Sequence, residues 1–286
     1  TNHVKAALNN LDLFSVNEWF MTETAKMATV VLPAASFLEK SGTFTNGERR
    51  VQRVNKVVEP IPGTKSDGQI IVDMMNRFGG AYEAYHPGWV LEEVSQIVPF
   101  FKGIRWENLG INGKQWPVGE DEKSTEIIHE KEFKIGKGRI QFKPFAESPE
   151  IEEHGKKYPY ILTTNRELEH YNCGAMTRRT GNVDILGEDT LMIHPLDAED
   201  KGIADGDIVC VSSARGKVDV RAKITTEVNP GILSSTFHFP EVMLNILTSN
   251  VADTEALCPE YKVVAVDIRK ARKTETRKVG EFVSEH

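Results

Sequence analysis

Apolar and polar positions change rhythm near the middle of the chain. In the first half, Ala28-Thr-Val-Val-Leu-Pro33 is a short β-branched run with apolar neighbours throughout, which predicts a buried strand. Asp67 caps a helical pattern in which Ile70, Ile71, Met74, Met75 and Phe78 share one face, and Gly79-Gly80 ends it. A second amphipathic helix is predicted over Trp89–Val98, with Val90, Val94, Ile97 and Val98 on one side. Strand followed by helix points to an α/β layer. From Asn108 to Glu150 no period persists. Within that stretch Lys137-Gly138, between Phe133-Lys-Ile135 and Arg139-Ile-Gln-Phe142, predicts a hairpin turn. The polar, Pro- and Gly-bearing segment 146–156 is the expected domain boundary.

Beyond it the period shortens to two. Strands are predicted at Tyr158–Thr164, Asp207–Ser213, Lys217–Ile224, Gly231–Phe239 and Tyr261–Ile268, with Arg215-Gly216 turning between the second and third. Pro195–Gly202 reads as one short helix closed by its glycine. Several short strands with one or two helices predict a small closed β-barrel. The expected organisation is an α/β region over 1–150, a barrel domain over 151–270 and a charged tail over 271–286.

Length agrees, since 286 residues suggest about two domains. The 42 acidic residues outnumber 35 basic ones, a net charge of −7, which argues against a surface for nucleic acid. Met27–Leu38, the longest apolar stretch, is broken by Thr29, Pro33 and Ser36 and is too short to span a bilayer. Cys173, Cys210 and Cys258 form no CxxC, zinc or iron–sulfur spacing, so neither a metal site nor a cluster is expected within this chain. An odd number of scattered thiols points to a reducing, cytoplasmic setting.

The densest polar cluster, Thr163-Thr-Asn-Arg-Glu-Leu-Glu-His-Tyr-Asn172, directly follows a predicted strand. Such a strand end is where ligand-binding groups gather, and Arg166 offers a fork suited to phosphate or carboxylate. A solvated loop would read the same way. His238 lies in an otherwise apolar strand, where a satisfied core histidine is the ordinary reading. Asn245 and Tyr261-Lys262 are unremarkable alone. Gly42-Thr-Phe-Thr-Asn-Gly47 matches neither phosphate-loop pattern, and Glu48-Arg-Arg-Val-Gln-Arg53 reads as a charged surface or an anion site, the former favoured. No catalytic triad or Cys–His pair is identifiable from spacing.

Recognition of motifs goes further. Phe20-Met-Thr-Glu-Thr-Ala-Lys-Met-Ala-Thr-Val-Val-Leu-Pro33 resembles the T-x-T-A-x-x-A-D-x-x-L-P segment of bis-molybdopterin guanine dinucleotide oxidoreductases, with Thr29 in place of the Asp. Glu39–Gln52 resembles their following E-x-x-G-T-[FY]-x-N-x-E-x-R-x-Q element. Asn165–Arg179 and Cys258-Pro-Glu-Tyr-Lys262 resemble the C-terminal domain of the formate dehydrogenase catalytic subunit. The resemblance covers about residues 15–268. It implies a six-stranded double-psi barrel capping two pterin cofactors, after an α/β domain that holds one nucleotide end. By position it puts Thr164, Arg166, Glu167, His170, Tyr171 and Asn172 at the pterin and pyrophosphate. Phe237-His238, Asn245 and Tyr261-Lys262 would line the same crevice, although family members often carry Tyr-Gln at the Phe237-His238 position.

By the same resemblance, the iron–sulfur cysteine run, the selenocysteine or cysteine metal ligand, its histidine and the formate arginine belong upstream of Thr1. The expectation is therefore a C-terminal portion with no catalytic residue of its own, sharing a molybdenum or tungsten bis-molybdopterin guanine dinucleotide with an upstream catalytic portion. An iron–sulfur electron-transfer subunit would be its partner and formate/CO2 its substrate pair. The alternatives are the equivalent portion of a nitrate or other oxyanion reductase, or a non-catalytic relative in a respiratory complex.

Overall fold

The computed structural model describes residues 2–142, 144–253 and 255–271; apart from Ala271, the expected charged tail lies outside them. The chain divides into two compact units, one over residues 12–142 and one formed by the residues on either side of it. Helix α1 (Asn2–Asn9) belongs to the latter, with Asn2 Nδ2 donating to Arg215 O.

In the 12–142 unit, β1 (Ser15–Glu18), α2 (Glu23–Lys26) and β2 (Val30–Pro33) make a parallel two-stranded unit. Thr22 of the T-x-T-A motif caps α2 by accepting from Ala25 N, and Thr29 Oγ1 accepts from Phe14 N at the entry to β1. The predicted strand at 28–33 exists but is not buried. Val30 is 42% exposed, because among the described residues β2 pairs only with β1 and lacks the second flank that encloses a parallel strand.

Next, β3 (Gly42–Thr45) and β4 (Arg50–Val54) precede α3 (Asp67–Arg77) and α4 (Pro87–Ile97), and β5 (Lys114–Gln115) completes an antiparallel sheet in the order β3-β4-β5. Both predicted helices are present, with three corrections. Ser66, not Asp67, caps α3 by accepting from Gln69 N. Of the predicted α3 face only Ile70 is buried; Ile71, Met74, Met75 and Phe78 are exposed. On α4 the buried stripe is Gly88, Leu91 and Ser95, rather than the larger Val90 and Ile97. Gly88 explains that rotation, since a Cβ there would lie 2.9 Å from the His86 ring and 3.2 Å from Trp106 Cβ. Leu91 packs with Val51, Ile104, Leu109 and Val118 in a small core. The predicted hairpin at Lys137-Gly138 does not form. The local turn falls earlier, closed by Gly136 N–H donating to Phe133 O, and Ile135, Ile140 and Phe142 are exposed, so no buried face sets a strand register.

After α1, the other unit resumes with α5 (Pro149–His154), within the stretch expected to be a boundary, and continues through β6 (Tyr160–Asn165), α6 (Asn182–Ile185), β7 (Thr190–Ile193), α7 (Pro195–Lys201), β8 (Ile208–Ser212), β9 (Lys217–Ile224), β10 (Ile232–Thr236) and β11 (Val264–Lys270). Six of these strands close into a barrel in the order β10-β6-β11-β8-β9-β7, with β7 and β10 meeting at a single paired position, Met192 opposite Ser234. The expected closed barrel is thus observed. Alternation supplies its core: Leu162, Leu191, Ile193, Val209, Leu233 and Val264 are fully buried. Gly202 closes α7 at φ +61, as predicted, and Gly216 forms the tight β8–β9 turn against Ile246. Strand β7 is an addition; Thr-Leu-Met-Ile before a proline is too short to declare itself.

Candidate functional site

Strands β6 and β10 lie side by side and parallel, and their ends are in register at Asn165 and Thr236. The chain leaving β6 therefore enters the loop from Arg166 beside the point where β10 delivers Phe237 and His238. His238 is fully buried and joins the two. Its Nε2 accepts from Glu167 N at 3.1 Å, and its Nδ1 lies 2.5 Å from Asn172 O. A backbone N–H can only donate and a carbonyl can only accept, so the ring is the neutral Nδ1–H tautomer. His170 is held in the opposite sense. Its Nε2 donates to Leu186 O at 2.7 Å, and its Nδ1 shares a hydrogen bond with Thr177 Oγ1 at 3.0 Å. The two rings lie edge to face, 6.0 Å apart.

Both histidines were expected as direct cofactor contacts. In this structure every ring nitrogen of the two is hydrogen-bonded within the chain, and these bonds join the loop to itself and to the end of β10. Glu167 likewise contributes its backbone N–H. The outward-facing groups are Arg166, Tyr171 and Asn172. The Arg166 guanidinium lies 5.2 Å from the centre of the Phe237 ring and donates to Asn172 Oδ1 at 3.4 Å. Asn172 adopts φ +50, the left-handed region that Asn tolerates better than most residues, and this turns its carbonyl to His238. Gly174 follows at φ +67, where a Cβ would come within 2.9 Å of His238 O.

Tyr261-Lys262 joins the same strand end. Thr164 Oγ1 donates to Tyr261 O at 3.2 Å, and Lys262 Nζ donates to Thr164 O. Asn245 sits exposed on a 3-10 turn, its carbonyl accepting from Thr248, and takes no part in the hydrogen bonds described for the loop. The basic run 48–53 is spent within its own unit: Arg49 donates to the carbonyls of Trp116, Thr125 and Glu126, Arg50 pairs with Glu48, and Arg53 lies over Trp106.

Two further groups were not anticipated. Arg178, after the loop, pairs with Glu241 at 2.6 Å and lies over Phe239. Asp189 is 4% exposed, and its Oδ1 accepts from Thr190 N, Ser235 Oγ, Thr236 N and Thr236 Oγ1 at 3.0–3.2 Å. Its Oδ2 is buried with no hydrogen-bond partner. The parity of Asp189, Leu191 and Ile193 was the available signal, since residues two apart on a strand share a face.

Burial pushes the Asp189 carboxyl from its ordinary 3.8 up to about 6, against the four donors that pull it down. The folded chain then holds a proton between roughly pH 4 and pH 6 that the unfolded chain has lost. Its stabilising contribution is complete below pH ~4 and declines as pH rises through 6, by about 3 kcal/mol in all. Asp189→Asn is expected to flatten this window. Melting temperatures between pH 4 and 8 check it; a variant with the wild-type slope would assign the dependence elsewhere.

Loop, adjoining strand ends and closed barrel together define a domain type. Residues 160–265 match the family model described as molydopterin dinucleotide binding domain, and residues 1–77 match that described as molybdopterin oxidoreductase. The chain thus carries a stretch similar to each of these two family models. Among its relatives, "F420-dependent formate dehydrogenase subunit alpha" of Methanocaldococcus jannaschii is 39% identical over 278 residues, and "F420-dependent formate dehydrogenase 2 subunit alpha" of Methanococcus maripaludis is 40% identical over 274. Each alignment covers 94% of this chain and 40% of the relative, so the chain spans well under half of their length. A solved acetylene hydratase from Pelobacter acetylenicus shares the fold at a TM-score of 0.68 and 19% identity, over 94% of this chain and 42% of that one. Among the described residues no three His, Cys, Asp or Glu side chains converge as a metal site, and no helix is long and apolar enough to cross a membrane.

Proposed function

We propose that this chain is the dinucleotide-holding portion of a molybdenum- or tungsten-dependent formate dehydrogenase. The observation that carries the reading is the 39–40% identity, over 94% of the chain, to proteins named as formate dehydrogenase alpha subunits. The donor set at the barrel mouth fits the cofactor. Arg166, Asn172, Tyr171 and Lys262 present a guanidinium, an amide, a phenol and an ammonium, which are the donors that pyrophosphate oxygens and pterin carbonyl edges require. Thr164 and Tyr261 hold the strand end from which these groups project. His170, Glu167 and His238 keep the loop in one conformation, so less ordering is needed when the dinucleotide binds.

When bound, the metal–pterin group supplies the two-electron chemistry, formate giving CO2, a proton and two electrons. This chain's residues bind and orient; none is assigned to the C–H bond. The metal ligand and the formate-binding groups belong to an upstream catalytic portion, and an iron–sulfur subunit takes the electrons. The exposed apolar face of α3 and the half-open β1–β2 sheet support a further partner surface of this kind. Three unpaired thiols favour a cytoplasmic setting.

The test is formate-dependent viologen reduction by the native assembly under anoxic conditions. Turnover is expected, with Arg166→Ala losing on the order of 10-fold or more in retained cofactor and in activity together. A preparation that contains pterin and metal yet ignores formate would move the assignment to another bis-pterin oxidoreductase.

A further inference from the structure

Strand β10 reaches the loop through a weak point in the barrel. It pairs with β6 up to Thr236, but with β7 at a single position, Ser234 opposite Met192. Past Ser234, the side of β10 that faces β7 has no ladder to hold it. Asp189, the residue before β7, stands in for that ladder. Its Oδ1 takes the Thr236 N–H that a neighbouring strand would otherwise accept, and also takes both the Ser235 and Thr236 hydroxyls. Thr236 Oγ1 in turn accepts from His238 N at 3.3 Å. His238 then closes on Glu167 N and Asn172 O. A continuous hydrogen-bonded path thus runs from the start of β7 through the end of β10 to both ends of the 167–172 segment.

A carboxylate is an expensive way to terminate a strand. Asp189 sits in the barrel wall with one oxygen buried and unpartnered, where an apolar residue or a surface acid would avoid the desolvation. Its position is explained by what Oδ1 holds still. We propose that Asp189 is a positioning residue for the 166–172 loop, acting through Thr236 and His238 to set the loop's conformation rather than touching a ligand itself. The ligand, a guanine dinucleotide, rests on the reading above; the brace does not.

Backbone amide exchange and histidine ring 15N shifts, measured on the full 286-residue chain, test the brace without any cofactor. In Asp189→Ala the Glu167 amide is expected to exchange on the order of 10-fold faster, and His238 to lose its pure Nδ1–H signature. Core amides such as those of Val209 and Val220 should keep their protection. Asp189→Asn, which preserves the acceptor oxygen, is expected to restore loop protection. If Asp189→Ala does not fold, Thr236→Val removes the next link, and Thr236→Ser, which keeps the hydroxyl, should behave as wild type. Unchanged Glu167 exchange and an unchanged His238 signature would overturn the proposal. So would acceleration spread evenly over the whole barrel, which marks a merely structural loss. In the assembled protein, a loosened loop with undiminished guanine dinucleotide content would uphold the brace and count against the cofactor reading.

Discussion

Replacing Glu150 by alanine is expected to destabilise the barrel unit by about 3–5 kcal/mol, the range for breaking one side of a buried ion pair. Glu150 is 3% exposed and receives both terminal nitrogens of Arg215, at 2.6 and 2.8 Å. It also accepts from Ala265 N at the start of β11, while Arg215 donates to Leu247 O. One carboxylate therefore joins α5, the β8–β9 turn, the segment after the 3-10 turn and β11. Without it, the half-buried guanidinium keeps only Leu247 O, and the buried Ala265 N–H loses its acceptor. The melting temperature should fall by about 10 °C or more. Glu150→Leu with Arg215→Met removes both charges together and is expected to recover much of the loss, because the penalty lies in the unpaired partner. A single variant within about 1 kcal/mol of wild type would contradict this account.

His238→Ala carries the second large effect, about 2–4 kcal/mol from a cavity and two unpaired backbone groups. The functional consequence is larger than the stability cost suggests. Freed from His238, the loop no longer presents Arg166 and Asn172 in a fixed relation, and each must be ordered anew when a ligand binds. Retained dinucleotide is expected to drop in the folded variant. His238→Gln, whose amide offers one donor and one acceptor, should preserve part of both properties. Thermal unfolding and cofactor content on the same samples separate the two; a variant that is destabilised but fully loaded would show that the clasp serves the fold alone.

Much of the barrel is legible in the chain because its determinants are local. Lys217–Ile224 alternates without interruption and Gly202 sits where α7 must stop, and both stand as expected. The loop after β6 is also visible, as a polar burst after an apolar strand. What the sequence conceals is set by distant register. Whether His238 faces a ligand or clasps a loop depends on Thr236 pairing with Asn165, 71 positions away. Asp189 is hidden for a related reason: its inward parity has meaning only once Thr190–Ile193 is known to be a strand, and four residues before a proline do not declare one. On α3 and α4 the helical period is right but the choice of face is not, because Gly88 rather than any large apolar residue decides which side of α4 packs closely.

A guanine dinucleotide of molybdopterin is the ligand expected at the mouth of the barrel. Oxidative release of the cofactor from the purified native assembly measures that directly, by fluorescence of the pterin product and quantification of liberated guanosine monophosphate. Both products are expected in stoichiometric amounts, with a marked loss in Arg166→Ala. An assembly that yields neither pterin nor guanine nucleotide would contradict that expectation.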